Sequence, residues 1–499
     1  MMTREQFLKL CGAGAVWAIA APTVGAESVQ TPAPAMLPSG VTSAVVAFIE
    51  QSRFDRMPAN AIAEAKRCLI DGFGVVLAGA TVRGSAIVRE YVKASSAPGA
   101  STVFGPERMS AAPAHAALAN GASGHAMDYD DTQLSTTPDR IFGLLTHPTV
   151  PVLSASLALG ERLGVSGRVF LEAFLTGFEV ECKIAEAINP KHYVQGFHST
   201  GTIGVFGAAA SAAKLMTLSR GQTAHALGIA ASLSAGLRVN FGSMTKPLHA
   251  GRAAENGVTA AELASHGFTA GDNGLDGEWG FFQVTGGGAD LARIVSTLGR
   301  PFSIVEPGVS FKPYPCGSLG HPTMDAMLKL VTDSDVKPEQ IARVRVRAGS
   351  NILNPLRYTT AKTELEAKFC LPFMMSSIAL RRRAGIREFT DEFVSSAPVQ
   401  AMMARVETIF DRGIEARGFD KMRSVVEVDL RDGRKLTQPS DDRYRGGPEH
   451  PFTREDLHEK FTDCASLVLP PDRIRRALDA IESLERIGNV KEVAQTMTI

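Results

Sequence analysis

The sequence predicts a mainly α protein, with one large all-α helical domain and a smaller α+β domain carrying an antiparallel sheet. Three observations predict it. The chain is rich in small residues and poor in aromatic ones, with 47 glycines and only 7% Phe, Trp and Tyr, which lets helix backbones approach closely. From Val41 to about Leu298, helical stretches alternate with Gly or Pro punctuation and no strand-like run interrupts them. After Pro301 period-two alternation enters. At 499 residues the chain exceeds one ordinary core, so two folded units and a targeting segment are expected.

Residues 1–26 read as an export signal. Arg4 and Lys9 precede the apolar run Leu10 to Ala21, and Val24-Gly25-Ala26 offers a small-residue cleavage site before Glu27. Thr3-Arg4-Glu5-Gln6-Phe7-Leu8-Lys9 resembles a twin-arginine motif with Glu5 in place of the second arginine. The run is too short for a permanent anchor. A periplasmic or exported location is therefore expected, with no membrane association after signal removal; the alternative is an N-terminal extension on a cytoplasmic protein. Residues 27–40, with three prolines, read as a linker.

Residues 41–300 are assigned to the all-α domain. Ala61 to Leu77 places Ile62, Ala65, Leu69 and Phe73 on one helix face, and Pro148 to Leu163 opens on proline and closes before Gly164. Thr202 to Leu215 is so rich in Gly and Ala that it must be packed on several sides. Residues 301–452 are assigned to the α+β domain. Val344 and Val346 alternate with Arg343, Arg345 and Arg347, the signature of a half-solvated strand. Ser424 to Leu430 and Lys435 to Gln438 flank Asp432-Gly433 and read as a hairpin with a primed turn. Helical segments lie around Thr363 to Arg382 and Asp391 to Met403. In 453–499, Ile474, Leu478, Ile481 and Leu484 share one face, and this tail is expected to return and complete the helical domain.

Lys plus Arg equals Asp plus Glu at 52 each, so no global field favours nucleic acid or an acidic membrane surface. Attraction for an anionic substrate must be local. Cys11, Cys68, Cys182, Cys316, Cys370 and Cys464 are scattered, without the spacing of zinc sites or iron–sulfur clusters, so neither metal nor disulfide framework is indicated.

The densest polar cluster is Gly124-His125-Ala126-Met127-Asp128-Tyr129-Asp130-Asp131-Thr132. Three carboxylates this close form either a solvated turn or a site where something offsets their charge. The apolar stretch Ala111 to Gly124 favours the site, where a carboxylate at the mouth of a buried helix has a raised pKa and serves as general acid or base. His147, beside a helix start, is disfavoured as a cation and suits proton transfer, although a lone histidine is also a common structural residue. In Gly196-Phe197-His198-Ser199-Thr200-Gly201 the hydroxyls are expected to cap the next helix, and the backbone amides could also cradle a carboxylate. Lys246 and Lys312 each precede a proline in an apolar context, which pushes them out of α conformation and suits them to hold an anion. The plainer reading of each is a surface charge whose stem covers apolar atoms.

Read in order, these strings resemble the MmgE/PrpD family, which includes 2-methylcitrate dehydratase and cis-aconitate decarboxylase. The matching stretches are Ala65 to Asp71, Gly124 to Thr132, His147-Pro148, Gly196 to Gly201, Thr245 to Gly251, Phe311 to Gly320 and Glu366 to Phe369. The resemblance implies an active site between a large all-α domain and a smaller α+β lid, in a homodimer. It also implies a reaction without metal, cluster or organic cofactor. Catalytic roles then fall to Asp128, Thr132, His147 and Lys246. His198 and Lys312 bind substrate, with Ser199, Asp131 and Tyr358 as further candidates. Gln133 to Thr146 forms a longer spacer than the decarboxylases and methylcitrate enzymes carry, beside the expected site, so substrate identity does not transfer. The implied reaction is a dehydration or decarboxylation by α-proton transfer on a small di- or tricarboxylic acid. Two alternatives stand beside it: an epimerase or isomerase of an amino- or imino-dicarboxylate, and an exported anion-binding protein without turnover.

Overall fold

A computed structural model describes residues 40–134, 144–418, 421–442 and 445–498. The export-type segment, nearly all of the linker and residues 135–143 of the long spacer lie outside the described residues.

Helices dominate up to residue 265. Helix Ala59–Gly79 buries Ala65, Leu69 and Phe73 on the expected face. Helix Thr149–Leu163 closes on Gly164 in the left-handed conformation, and Ser199–Leu215 is buried along almost its whole length, as its Gly and Ala content requires. Two short ribbons, which the sequence reading missed, interrupt the helices. Strands β1 (Ser101–Val103) and β2 (Met109–Ala111) pair antiparallel, as do β3 (Gln133–Leu134) and β4 (Leu144–Thr146). Strands of two or three residues are too short to leave a periodic trace.

The later sheet contains β5 (Ile341–Ala348), β6 (Val406–Phe410), β7 (Ser424–Leu430) and β8 (Lys435–Pro439) in the order β6-β5-β7-β8. The β5-β7-β8 part is antiparallel as expected, but β6 runs parallel to β5. Its residues are half-buried or exposed, so it lacks the alternation that revealed β5. Val344, Val346, Val426 and Val428 pack inward against Phe373, Met374 and Ile378. On the other face Arg345 bonds Glu427 and Asp429. The hairpin turn is not a primed one: only Gly433 has positive φ (90°), and Leu430 bonds Arg434 across a three-residue loop.

The C-terminal helices lie against the first long helix. Phe461 packs over Gly74, and Ile474, Leu478, Ile481 and Leu484 join Phe73, Phe170 and Phe174 in one apolar core. Lys460 ties this tail to the helical region through a buried ion pair with Asp71 at 2.6 Å and a bond to the Tyr129 carbonyl at 2.8 Å.

Candidate active site

Helix Pro113–Ala126 delivers the acidic cluster, and its second half is wholly buried. Helix Thr245–Ser265 lies against it, with a Cβ on Gly251 only 2.4 Å from the Leu118 carbonyl, so only glycine permits this approach. The contact sets the C-terminal end of the first helix beside the N-terminal end of the second, where Lys246 sits. Lys246 is the second residue of that helix, contrary to the expectation that Pro247 keeps it out of α conformation. Pro247 lies in the first turn, where a missing N–H is harmless.

Beyond the first helix Asp128 turns the chain at φ 51°, a left-handed conformation that aspartate tolerates better than most residues. Its Oδ1 accepts from Lys246 Nζ at 2.8 Å and from Lys312 Nζ at 2.7 Å, and Lys312 Nζ also reaches the Asp128 carbonyl at 2.9 Å. Thr132 explains how Lys312 arrives: its backbone bridges Ser310 in both directions, at 2.9 and 2.8 Å.

All three aspartates are buried, which excludes the solvated turn. Their roles differ from the expectation. Burial alone pushes the Asp128 carboxyl up, but Lys246 and Lys312 outweigh it and hold it well below the usual range. Asp128 is thus a fixed anion, and the raised acid is Asp131. Burial, then the charges of Asp71 and Asp130, lift Asp131 to about 8 against the bonds from Thr149. Thr149 Oγ1 donates to Asp131 Oδ2 at 2.6 Å.

His147 lies where its string predicted, with Nδ1 2.8 Å from the Asp131 carbonyl. A carbonyl only accepts, so Nδ1 carries the proton and Nε2 is a bare base. Burial holds the ring well below its ordinary pKa, and Lys312, His125 and Lys246 add to that against the pull of Asp130. His198 stands at 6.4 Å between ring centres from His147. The expected capping by Ser199 and Thr200 is not made: Ser199 Oγ contacts Asn189, and Thr200 Oγ1 accepts from the backbone N–H of His147. The two hydroxyls tie neighbouring segments together instead.

A cavity of about 30 Å³ is walled by Asp128, His147, Lys246 and Lys312, with Tyr193, Phe241, Ser318 and Phe369 around them. Asp128, His147, His198, Lys246 and Lys312 therefore converge. Thr132, Asp131 and Ser199 support the site from behind the wall. Tyr358 is half-buried outside the cavity wall, its hydroxyl 3.5 Å from Arg357. Sequence reading left three partners unassigned. Asp130 bonds His125 Nδ1 at 2.8 Å, and His249 Nδ1 lies 3.0 Å from His198 Nδ1. His125 and Asp130 stood inside the acidic string, where spacing contained the signal, whereas His249, one turn beyond Lys246, meets His198 only through a contact distant in sequence.

The sequence profile of the MmgE/PrpD N-terminal domain matches residues 43–294, and that of the C-terminal domain matches residues 314–486. The chain belongs to the MmgE/PrpD family. Its relatives include the cis-aconitate decarboxylase of Homo sapiens, 28% identical over 90% of this chain and 93% of that protein. The Mus musculus enzyme of the same name is also 28% identical, over 90% and 92%. That of Aspergillus terreus is 24% identical, over 92% and 96%. The C-terminal family profile runs past the sheet into the returning tail, so this family domain spans both the sheet and helices that pack on the first domain.

Proposed function

We propose that the chain is a cofactor-independent lyase that decarboxylates a small unsaturated tricarboxylic acid of the cis-aconitate kind. One observation carries the reading: two buried ammonium groups share one carboxylate oxygen beside a neutral imidazole whose free nitrogen is a base. Family membership and the full-length likeness to cis-aconitate decarboxylases support the lyase class. The lysines hold substrate carboxylates and stabilise negative charge that develops at the α-carbon. As the carbon–carbon bond to the leaving carboxylate breaks, carbon dioxide departs and its electron pair stays on the carbon skeleton. A solvent proton relayed through His147 Nε2 is delivered to that carbon, so each turnover consumes one proton and releases one carbon dioxide.

Dehydration of a hydroxy-acid such as 2-methylcitrate is the second reading, because a bare Nε2 is equally suited to remove an α-proton. Incubation with cis-aconitate, citrate, 2-methylcitrate and aspartate-derived diacids in deuterated water, followed by NMR and carbon dioxide capture, separates the two. Carbon dioxide release with one deuterium placed on carbon supports decarboxylation. Alkene formation without carbon dioxide supports dehydration, and exchange into unchanged substrate supports an epimerase. No conversion or exchange with any acid overturns the enzymatic reading.

The proposal includes a homodimer, which light scattering on the purified chain checks. It also includes export, which predicts a mature chain beginning at Glu27.

A further inference from the structure

Three histidines meet beside the cavity in an arrangement that proton transfer alone does not require. Ring centres of His125 and His147 are 4.7 Å apart, and those of His125 and His198 5.4 Å. One ring nitrogen from each of the three lies within 4.8 Å of the others. In every case Nδ1 is already engaged: His125 with Asp130, His147 with the Asp131 carbonyl, and His198 with His249. What remains is the Nε2 set. Nε2 of His125 and of His198, together with Asp128 Oδ2, are buried atoms with no hydrogen-bond partner.

His125 and His147, fixed through Nδ1 by a carboxylate and a carbonyl with Nε2 left over, have the usual outer-shell arrangement of metal-bound histidine, and His198 joins them in the tautomer whose Nδ1 donates to His249. From this geometry we infer that the chain binds one zinc-type divalent cation through His125, His147 and His198, as a reversible inhibitor and not as a participant in the reaction. Asp128 lies within ligand distance of His125 together with Asp130, and its Oδ2 is a further buried oxygen at the edge of the triad. Zinc–nitrogen bonds of about 2.0–2.1 Å place tetrahedral ligands roughly 3.3 Å apart, a spacing that nitrogens lying within 4.8 Å of one another reach with at most a slight side-chain rotation. The lysines do not forbid this. Asp128 and Asp130 bring two negative charges and Lys246 and Lys312 two positive ones, so the cluster presents no net charge to a dication.

Inhibition follows from occupancy. A cation on His147 Nε2 takes the lone pair that would carry the proton, which is where this inference rests on the reading above. Binding itself does not. A chain that binds zinc but converts no acid would sink that reading and spare this one; a chain that converts acid and ignores zinc would do the reverse.

The test is calorimetry and equilibrium dialysis of the full chain with Zn²⁺ alone, and Co²⁺ as an optical probe. One saturable ion per chain is expected, with the intense visible bands of tetrahedral Co²⁺ and loss of turnover that a chelator restores. His125→Gln and His198→Gln should each weaken binding at least ~100-fold, and Asp130→Asn, which only orients His125, about 10–100-fold. Near-ultraviolet circular dichroism checks folding of each variant, and Asp130→Asn keeps the test open if a histidine variant does not fold. Absence of saturable binding, octahedral Co²⁺ spectra, or undiminished affinity in folded variants overturns the inference.

Discussion

Replacing Asp131 by asparagine probes a buried carboxyl behind the site wall that stays protonated at neutral pH. Its pKa rises from the usual 3.8 to about 8, chiefly through burial and then through the charges of Asp71 and Asp130. A carboxyl raised on folding holds its proton longer in the native state than in the unfolded chain. Stability therefore falls as pH rises between these two values and is flat outside them. At pH 7 the native group is protonated and the unfolded one ionised, a gap of about 3 pH units, or ~4 kcal/mol at 1.36 kcal/mol per unit. Asp131→Asn removes the titration while keeping an oxygen for the Thr149 hydroxyl. Urea unfolding at pH 5, 6, 7 and 8 should show the variant gaining on the parent by ~1.4 kcal/mol per unit, about 4 kcal/mol across the range. Parallel stability curves for parent and variant would refute the burial argument.

Three other outcomes follow from the same geometry. His147→Ala should lower kcat at least ~100-fold, because among the described residues His147 is the histidine that lines the cavity; a loss of a few-fold would remove it from that role. Lys312→Met should raise KM and lower kcat together, and should destabilise the fold by about 3–5 kcal/mol if Asp128 and Lys246 cannot rebalance, read by steady-state kinetics and urea midpoints. Gly251→Ala forces a Cβ to within 2.4 Å of the Leu118 carbonyl, so the two helices must separate. It should lower the melting temperature and also displace Lys246 from Asp128, and unchanged kinetics would show that the helix contact does not set the site.

Much of the site was legible because its residues mark breaks in the helical pattern. Asp128, His147, His198 and Lys246 all sit at helix ends, where the sequence shows punctuation and polarity together. What spacing could not tell was which aspartate receives the lysines. Asp128 and Asp131 are equivalent in a string, yet a left-handed turn at Asp128 aims one at two ammoniums and leaves the other among acids. His249 looked like any helix residue, since its contact with His198 joins positions 51 apart. Parallel strand β6 was hidden for a similar reason, because its identity comes from pairing with β5 and not from its own alternation.

On the proposed reading, the shared carboxylate keeps the two buried lysines ready for an anion. An ammonium has three N–H donors. Lys312 spends two on Asp128, through Oδ1 and the carbonyl, and Lys246 spends one, so three donors remain for substrate oxygens. Substrate therefore adds to the ion pairs and does not have to break them. Its entry is the harder step. A cavity of about 30 Å³ has room for a few water molecules and not for a tricarboxylic acid. The wall combines Asp128 and His147 from the helical region with Lys312, Leu319 and Phe369 from the later part of the chain, so admitting substrate requires these two sets to separate and close again.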